Sequence, residues 1–317
     1  MKNKHLEHPE DSILNKGREG ALSILKFLKD KNSTLSVKYD GAPAIVWGIN
    51  PENERFFVGT KAVFNKREKY IKINYTHHDI EVNHGNKPNV ASILHLCLDH
   101  LPRIDGVYQG DFIGYGGTDT YKPNVIEYSF HKERITKFDM VFAQHSHYRG
   151  DYKTLKDLTV QYNMPYTVCG GNTYFVNITA EREYRALGLD LLLGLAEAAV
   201  KFVKFPTEEE GKKIKIAVNK FIREGRDLIP SELSKETGYH ANLFHLYNFI
   251  REIKHKLMEG IKTFEDVTCV IDYDNIGMVN HEGFVMSNQH GTYKLVKRNE
   301  FSYANFNADK SWSQLPF

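Results

Sequence analysis

Lys38-Tyr39-Asp40-Gly41 is the stretch on which the reading of this chain turns. It comes after a short apolar run at 35–37, and Asp-Gly favours a tight turn, so a strand is predicted to end here with a lysine and a carboxylate at its corner. Alone the tetrapeptide is a weak signal. At average residue frequencies of roughly 6–7% each, the three fixed residues of K-x-D-G arise by chance in about one chain in ten of this size. Its weight comes from the motifs downstream of it and from their order.

Outward from that corner, runs at 44–47 and 56–58 read as further strands of a meander, separated by Gly41-Ala42-Pro43 and Asn50-Pro51-Glu52-Asn53. Before them, 12–31 reads as an amphipathic helix with Ser12 as N-cap and Ile13, Leu14, Leu22, Leu25 and Leu28 on one stripe. Residues 89–101 read as another helix, 106–117 as a strand running into a glycine-rich mobile turn, and 137–143 as a strand. From 179 the texture becomes helical: 180–205, 208–224 and 239–261 are helix formers, with no strand signal between them. Strands return at 268–271, 283–286 and 293–296. The expected fold is α+β, with a β-rich body at 1–178 and 263–317 interrupted by a helical insertion at 179–262.

The 317 residues include 41% hydrophobic and 26% charged, which excludes a disordered chain, a fibre and a small disulfide scaffold. Net charge is +2 from 42 basic and 40 acidic residues, so contact with nucleic acid would need a local basic patch. No apolar run reaches about 18 residues, and the polar first residues lack an apolar core, so neither a membrane span nor a signal peptide is expected. Cys97, Cys169 and Cys269 lie far apart, an odd count without metal spacing that suits a reducing cytoplasm. His77-His78 and the His145/His147 pair read as solvated or core histidines in the absence of further ligands at metal spacing.

Downstream of the corner come Phe56-Phe57-Val58-Gly59-Thr60-Lys61, Gln109-Gly110-Asp111, Phe138-Asp139-Met140-Val141-Phe142, Glu282-Gly283-Phe284-Val285 and Lys294-Leu295-Val296-Lys297-Arg298. This ordered set resembles the covalent nucleotidyltransferase superfamily: ATP-dependent DNA ligases, RNA ligases and mRNA capping enzymes. It looks closest to phage-encoded proteins related to RNA ligases, which share these stretches and the H-L-E-H-P-E-D found here at 5–11. The resemblance covers nearly all of the β-rich part. It implies a ligase-type adenylation domain of antiparallel sheets flanked by helices, located in the cytoplasm, that of the host if phage-encoded.

The resemblance makes Lys38 the nucleophile that forms lysyl-AMP from ATP with Mg²⁺ or Mn²⁺. An amine attacks phosphorus only when neutral, so neighbouring cations (Lys294, Lys297, a metal) and desolvation are expected to lower its pKa. Asp40 and Gly41 would contact the nucleotide or orient the lysine. Lys61 stands where an arginine is usual, on the ribose or acceptor phosphate, and cannot make the bidentate fork. Asp111 replaces the usual glutamate at the ribose and metal position, Phe142 is the candidate for stacking on the base, and Glu282 is the metal-binding carboxylate. Lys294 and Lys297 would neutralise the α-phosphate. They are three apart and so face opposite sides of a regular strand; either a bulge re-aims one or Arg298, on the face of Lys294, serves instead.

Two departures bear on function. About twenty residues come after Arg298, too few for the oligonucleotide-binding barrel that DNA ligases and capping enzymes carry there. The helical insertion, with basic runs at 212–215 and 254–256, could take that role, favouring RNA or nicked duplex ends as partner. NAD⁺ is not the expected AMP donor, since no cysteine-rich zinc module is present. Transfer to another acceptor, RNA guanylylation, and an inactive binding module of the same fold are the competing readings. RNA against DNA, ATP against GTP, and oligomeric state are left open.

Overall fold

In the computed structural model, which describes residues 5–149, 153–162, 171–183 and 188–308, the amphipathic stretch becomes helix α1 (Ser12–Lys29). Ile13, Leu14, Ala21, Ile24, Leu25 and Leu28 form its buried face. At roughly 1.5–3 kcal/mol per buried large aliphatic side chain, that face rather than helix propensity holds α1 in place. The N-cap is Asp11, not Ser12, and its side chain makes no cap bond.

The strands in chain order are β1 (Thr34–Lys38), β2 (Ala44–Ile49), β3 (Phe56–Thr60), β4 (Val107–Tyr115), β5 (Thr120–Tyr121), β6 (Ile126–Phe130), β7 (Met140–Arg149), β8 (Thr159–Tyr162), β9 (Thr173–Phe175), β10 (Thr179–Arg182), β11 (Ile261–Thr263), β12 (Val267–Ile271), β13 (Gly277–Val279), β14 (Gly283–Asn288) and β15 (Gly291–Val296). They build three sheets, ordered β11-β10-β1-β14-β15, β13-β12-β6-β5 and β3-β2-β4-β7-β8, the last with β9 added beside β7. All pairings are antiparallel except that of β9 with β7. The remaining helices are α2 (His77–His84), α3 (Pro88–His100), α4 (Leu189–Ala199), α5 (Glu208–Arg223), α6 (Pro230–Thr237), α7 (Ala241–Glu259) and α8 (Phe301–Asn307). The class is mixed α+β with antiparallel sheets, as expected.

The expected helix at 180–205 is corrected at its start. Thr179–Arg182 is strand β10, paired with β1 on one side and β11 on the other. A four-residue stretch with weak local preference follows the open backbone groups of the neighbouring strands. The helical stretch thus leaves and re-enters one sheet through adjacent strands, Ala180 facing Thr263 and Arg182 facing Ile261. Its helices share a core with the rest of the chain: Leu14 and Phe27 of α1, Ile214, Val218, Phe244 and Ile250 of the insertion, and Leu295 of β15 belong to one apolar cluster.

The glycine-rich turn is corrected too. Gly110 and Gly114 lie inside β4, beside two register shifts against β7. Helix α2 carries no strong apolar period; it is fixed by a capping box of Thr76 and Asp79. Cys97 and Cys269 are buried free thiols, and Cys169 lies outside the described residues. Among the described residues no helix is long and apolar enough to cross a membrane.

Candidate active site

Lys38 is the last residue of β1 and faces Gly283, the first of β14. That register brings Glu282, just outside β14, against it, and the Lys38 ammonium donates to the Glu282 carboxylate. Two residues back along β1, Ser36, Val285 and Lys294 stand abreast on β1, β14 and β15. Lys38 and Lys294 therefore reach one side of the five-stranded sheet, because side chains two apart on a strand share a face.

The six-stranded sheet supplies the opposite wall. Asp111 of β4 is paired with Ala44, three residues beyond Gly41. A Cβ on Gly41 would lie 2.3 Å from the Phe112 carbonyl oxygen and 3.1 Å from the Asp111 Cβ. Gly41 is thus required for close approach of the corner to β4, and not only as a turn former. Between the two walls lies a cavity of about 350 Å³ lined by Lys38, Asp40, Gly41, Lys61, Asp111, Glu282 and Lys294. It falls in the size range of small-ligand sites.

The electrostatics differ from the expected picture in one respect. Burial works against the Lys38 charge, but Glu282, then Asp40 and Asp111, outweigh it and hold the ammonium above the ordinary lysine range. The expected cationic neighbours do not prevail. Lys297 is half exposed, pairs with Glu300 at 3.4 Å, and lines, with Met258, Met278 and Phe301, a neighbouring cavity of about 270 Å³ that shares Glu282 with the first. Lys294 does face Lys38, and burial together with that neighbour lowers its own pKa. Burial pushes the Glu282 carboxyl up to about 7 against the pull of Lys38. Burial likewise raises Asp40, opposed by Lys38 at 3.7 Å. Asp40 is held by Asn124 at 3.0 Å, and its backbone N–H donates to the Tyr128 hydroxyl.

Three expected site residues lie elsewhere. Arg298 falls beyond the end of β15 and is buried, donating to Asp11, Tyr247 and Asn219. The β14–β15 register is regular, so no bulge turns Lys297 toward Lys294. Phe142 is fully buried against Trp47 and Phe175 in an apolar cluster. Two tyrosines line the cavity, Tyr39, which is buried, and the half-buried Tyr162 of β8, joined by His5, Gln109 and His145. A register shift leaves His145 unpaired on β7 between Gln144 and Ser146; such a bulge re-aims a side chain. His145 lies 3.7 Å from Asp111, while His147 stacks on Tyr108. The alternating His145/His147 pattern is visible in the sequence, but the bulge that separates their roles is not. No local pattern marks Tyr162, and His5, though it opens the H-L-E-H-P-E-D stretch, carries no role that the stretch itself reveals.

The basic runs of the insertion are largely engaged. Lys254 pairs with Glu10, Lys215 with Glu7 and Asp11, and Lys212 with Glu208.

The carboxylates of Glu282, Asp40 and Asp111 are hard oxygen donors around one cavity, the chemistry that Mg²⁺ takes, since it is usually bound by one or two carboxylates together with substrate phosphates and water. Among the described residues no group of three or more His, Cys, Asp or Glu is arranged as a metal cage.

This is an α+β protein of antiparallel sheets with a lysine–carboxylate cavity between two of them. The chain belongs to a family of unknown function (DUF6267), whose model matches residues 3–237 and 229–310. No curated protein and no solved structure matches it.

Proposed function

We propose that this chain is an ATP-dependent polynucleotide ligase-like enzyme of the covalent nucleotidyltransferase type, with RNA favoured over DNA. The observation that carries the reading is the convergence of Lys38, Asp40, Gly41, Lys61, Asp111, Glu282 and Lys294, spread over more than 250 residues of sequence, on one cavity. Lys38 attacks the α-phosphorus of ATP; a bond forms from Nζ to phosphorus, the bond to the pyrophosphate oxygen breaks, and lysyl-AMP remains. Glu282 accepts the Nζ hydrogen bond and holds the ammonium in the resting site; attack requires that bound nucleotide and Mg²⁺ draw the carboxylates away from Nζ, which lowers the lysine pKa and frees its proton. Lys294 offsets charge on the α-phosphate, and Lys61 binds ribose or the acceptor phosphate. Asp111 and Glu282 would hold Mg²⁺, which offsets the triphosphate charge. Tyr162 takes the stacking role expected of Phe142. The AMP then passes to a 5′-phosphate end, and a 3′-hydroxyl displaces it to seal the strand.

The test is incubation of the purified chain with ATP labelled at the α-phosphate and Mg²⁺, then denaturation, beside Lys38→Ala. Label on wild type alone supports the reading, and its discharge by 5′-phosphorylated RNA or nicked duplex supports sealing. Label that such ends do not discharge means another acceptor. No label from any nucleoside triphosphate on folded protein would sink the enzyme reading.

A further inference from the structure

On the far flank of the six-stranded sheet, α2 and α3 carry matched pairs one turn apart: His77 and Glu81 on α2, His95 and Asp99 on α3. Residues four apart share a helix face. The pairs meet crosswise. His77 Nε2 lies 3.1 Å from Asp99, and His95 Nε2 lies 2.7 Å from Glu81. The two Nδ1 atoms are 2.7 Å apart. The ring planes are within 22° of each other and their centroids 5.0 Å apart, the separation reached when two imidazoles point nitrogen to nitrogen in one line rather than stack.

The hydrogen inventory of this arrangement does not close by itself. Each Nε2 needs a hydrogen to donate to its carboxylate, and a neutral imidazole then has a bare lone pair at Nδ1. Two such lone pairs face one another, and only a cation between them removes the repulsion. The four side chains with both rings neutral carry a charge of −2, which a dication cancels and a shared proton only halves. A carboxylate behind each imidazole is also the support that ligating histidines ordinarily have; it fixes the tautomer and makes the free nitrogen more basic.

We propose that His77 and His95 form a transition-metal site of the zinc class, joining α2 to α3 through their Nδ1 atoms, with Glu81 and Asp99 as supporting carboxylates. Imidazole suits Zn²⁺, Cu²⁺ and Ni²⁺. Zinc–nitrogen bonds of about 2.0–2.1 Å at a tetrahedral angle require the nitrogens to part to about 3.3 Å. The side chains are 55% exposed at His77 and 27% at His95, so a small ring rotation achieves this. No third His, Cys, Asp or Glu among the described residues joins them. Water completes the coordination, and the ion exchanges readily. The site is independent of the Lys38 cavity.

The experiment uses the full chain without a polyhistidine tag, stripped with EDTA and kept in Mg²⁺ to occupy oxygen sites. Zn²⁺ is titrated by calorimetry and the unfolding temperature followed. One zinc per chain and a rise in unfolding temperature are expected, because a ligand bound only by the folded state stabilises it. Both are absent in H77A/H95A, whose metal-free unfolding temperature matches wild type. E81Q/D99N weakens zinc binding by about 10–100-fold. Equal zinc stoichiometry and thermal response in wild type and H77A/H95A would overturn the proposal. So would nitrogen NMR showing a proton that stays between the rings in the presence of zinc.

Discussion

Lys254 and Glu10, 244 residues apart in sequence, form an ion pair at 2.7 Å in which neither side chain has any exposed surface. Lys254 also donates to the carbonyl of Val296, at the end of the strand that carries Lys294. Beside it, Asp11 accepts from Arg298 and Tyr247, and the Glu7 carbonyl accepts the Lys294 backbone N–H at 3.1 Å. The 5–11 stretch, the insertion and the last strand are thereby locked together behind the cavity.

Breaking this pair from one side leaves a buried charge without a partner. Lys254→Met is expected to destabilise the fold by about 3–5 kcal/mol, and Glu10→Leu/Lys254→Met together by much less than the sum of the single changes. Equilibrium urea unfolding of the four proteins measures the cycle; strict additivity would contradict the pairing.

Lys294 and Lys297 line different cavities. If the proposed reaction operates, Lys294→Ala lowers the rate of lysyl-AMP formation by on the order of 100–1,000-fold, the usual cost of removing one group that stabilises transition-state charge. Lys297→Ala leaves it near wild type, because Lys297 faces Glu300 and another cavity. Single-turnover labelling with α-labelled ATP reads both.

Aromatic roles divide likewise. Tyr162→Ala is expected to weaken ATP binding by about 1–3 kcal/mol, the scale of base–aromatic stacking, with little effect on unfolding. Phe142→Ala is expected to cost about 3–5 kcal/mol of stability, as a cavity in the core does. Nucleotide titration and thermal unfolding on both variants test this.

His281 sets an acid limit. It is buried beside Cys269, and burial lowers its pKa to about 4 from an ordinary 6.5. The fold thus holds it neutral while the unfolded chain takes up a proton below pH 6.5, so stability falls as pH drops from there toward 4. The loss is about 3 kcal/mol at the lower end. Its φ of 58° is one that asparagine tolerates, so His281→Asn should flatten the unfolding midpoint over this window. An unchanged pH profile would refute the assignment. His8 and His255 are also pushed down, chiefly by burial, and act in the same direction.

Gly41→Ala probes the approach of the corner to β4. With its Cβ 2.3 Å from the Phe112 carbonyl oxygen, the turn must move. Displacing reacting groups by about 1 Å costs on the order of 100-fold in rate. Labelling slowed to that extent, with the helical content by circular dichroism unchanged, is the expected result.

What local sequence decided was the type of most elements and the residues gathered at the cavity. The short runs at 35–37 and 283–286 and the apolar stripe at 12–31 are local properties, and the chain buries β1, β14 and one face of α1 accordingly. Lys38, Asp111, Glu282 and Lys294 were legible as candidates because their types and order resemble a known pattern. What only the packed chain decided was where each side chain ended up. Thr179–Arg182 became a strand because β1 and β11 offered it hydrogen-bond partners. Arg298 went to Asp11, and Phe142 into the core beside Trp47. Lys38 came out paired with Glu282 rather than surrounded by cations. Local patterning speaks for the residues within a turn or a strand. Register, bulges and the partner of a buried charge depend on segments hundreds of residues away, and these decide which of several suitable side chains faces the cavity.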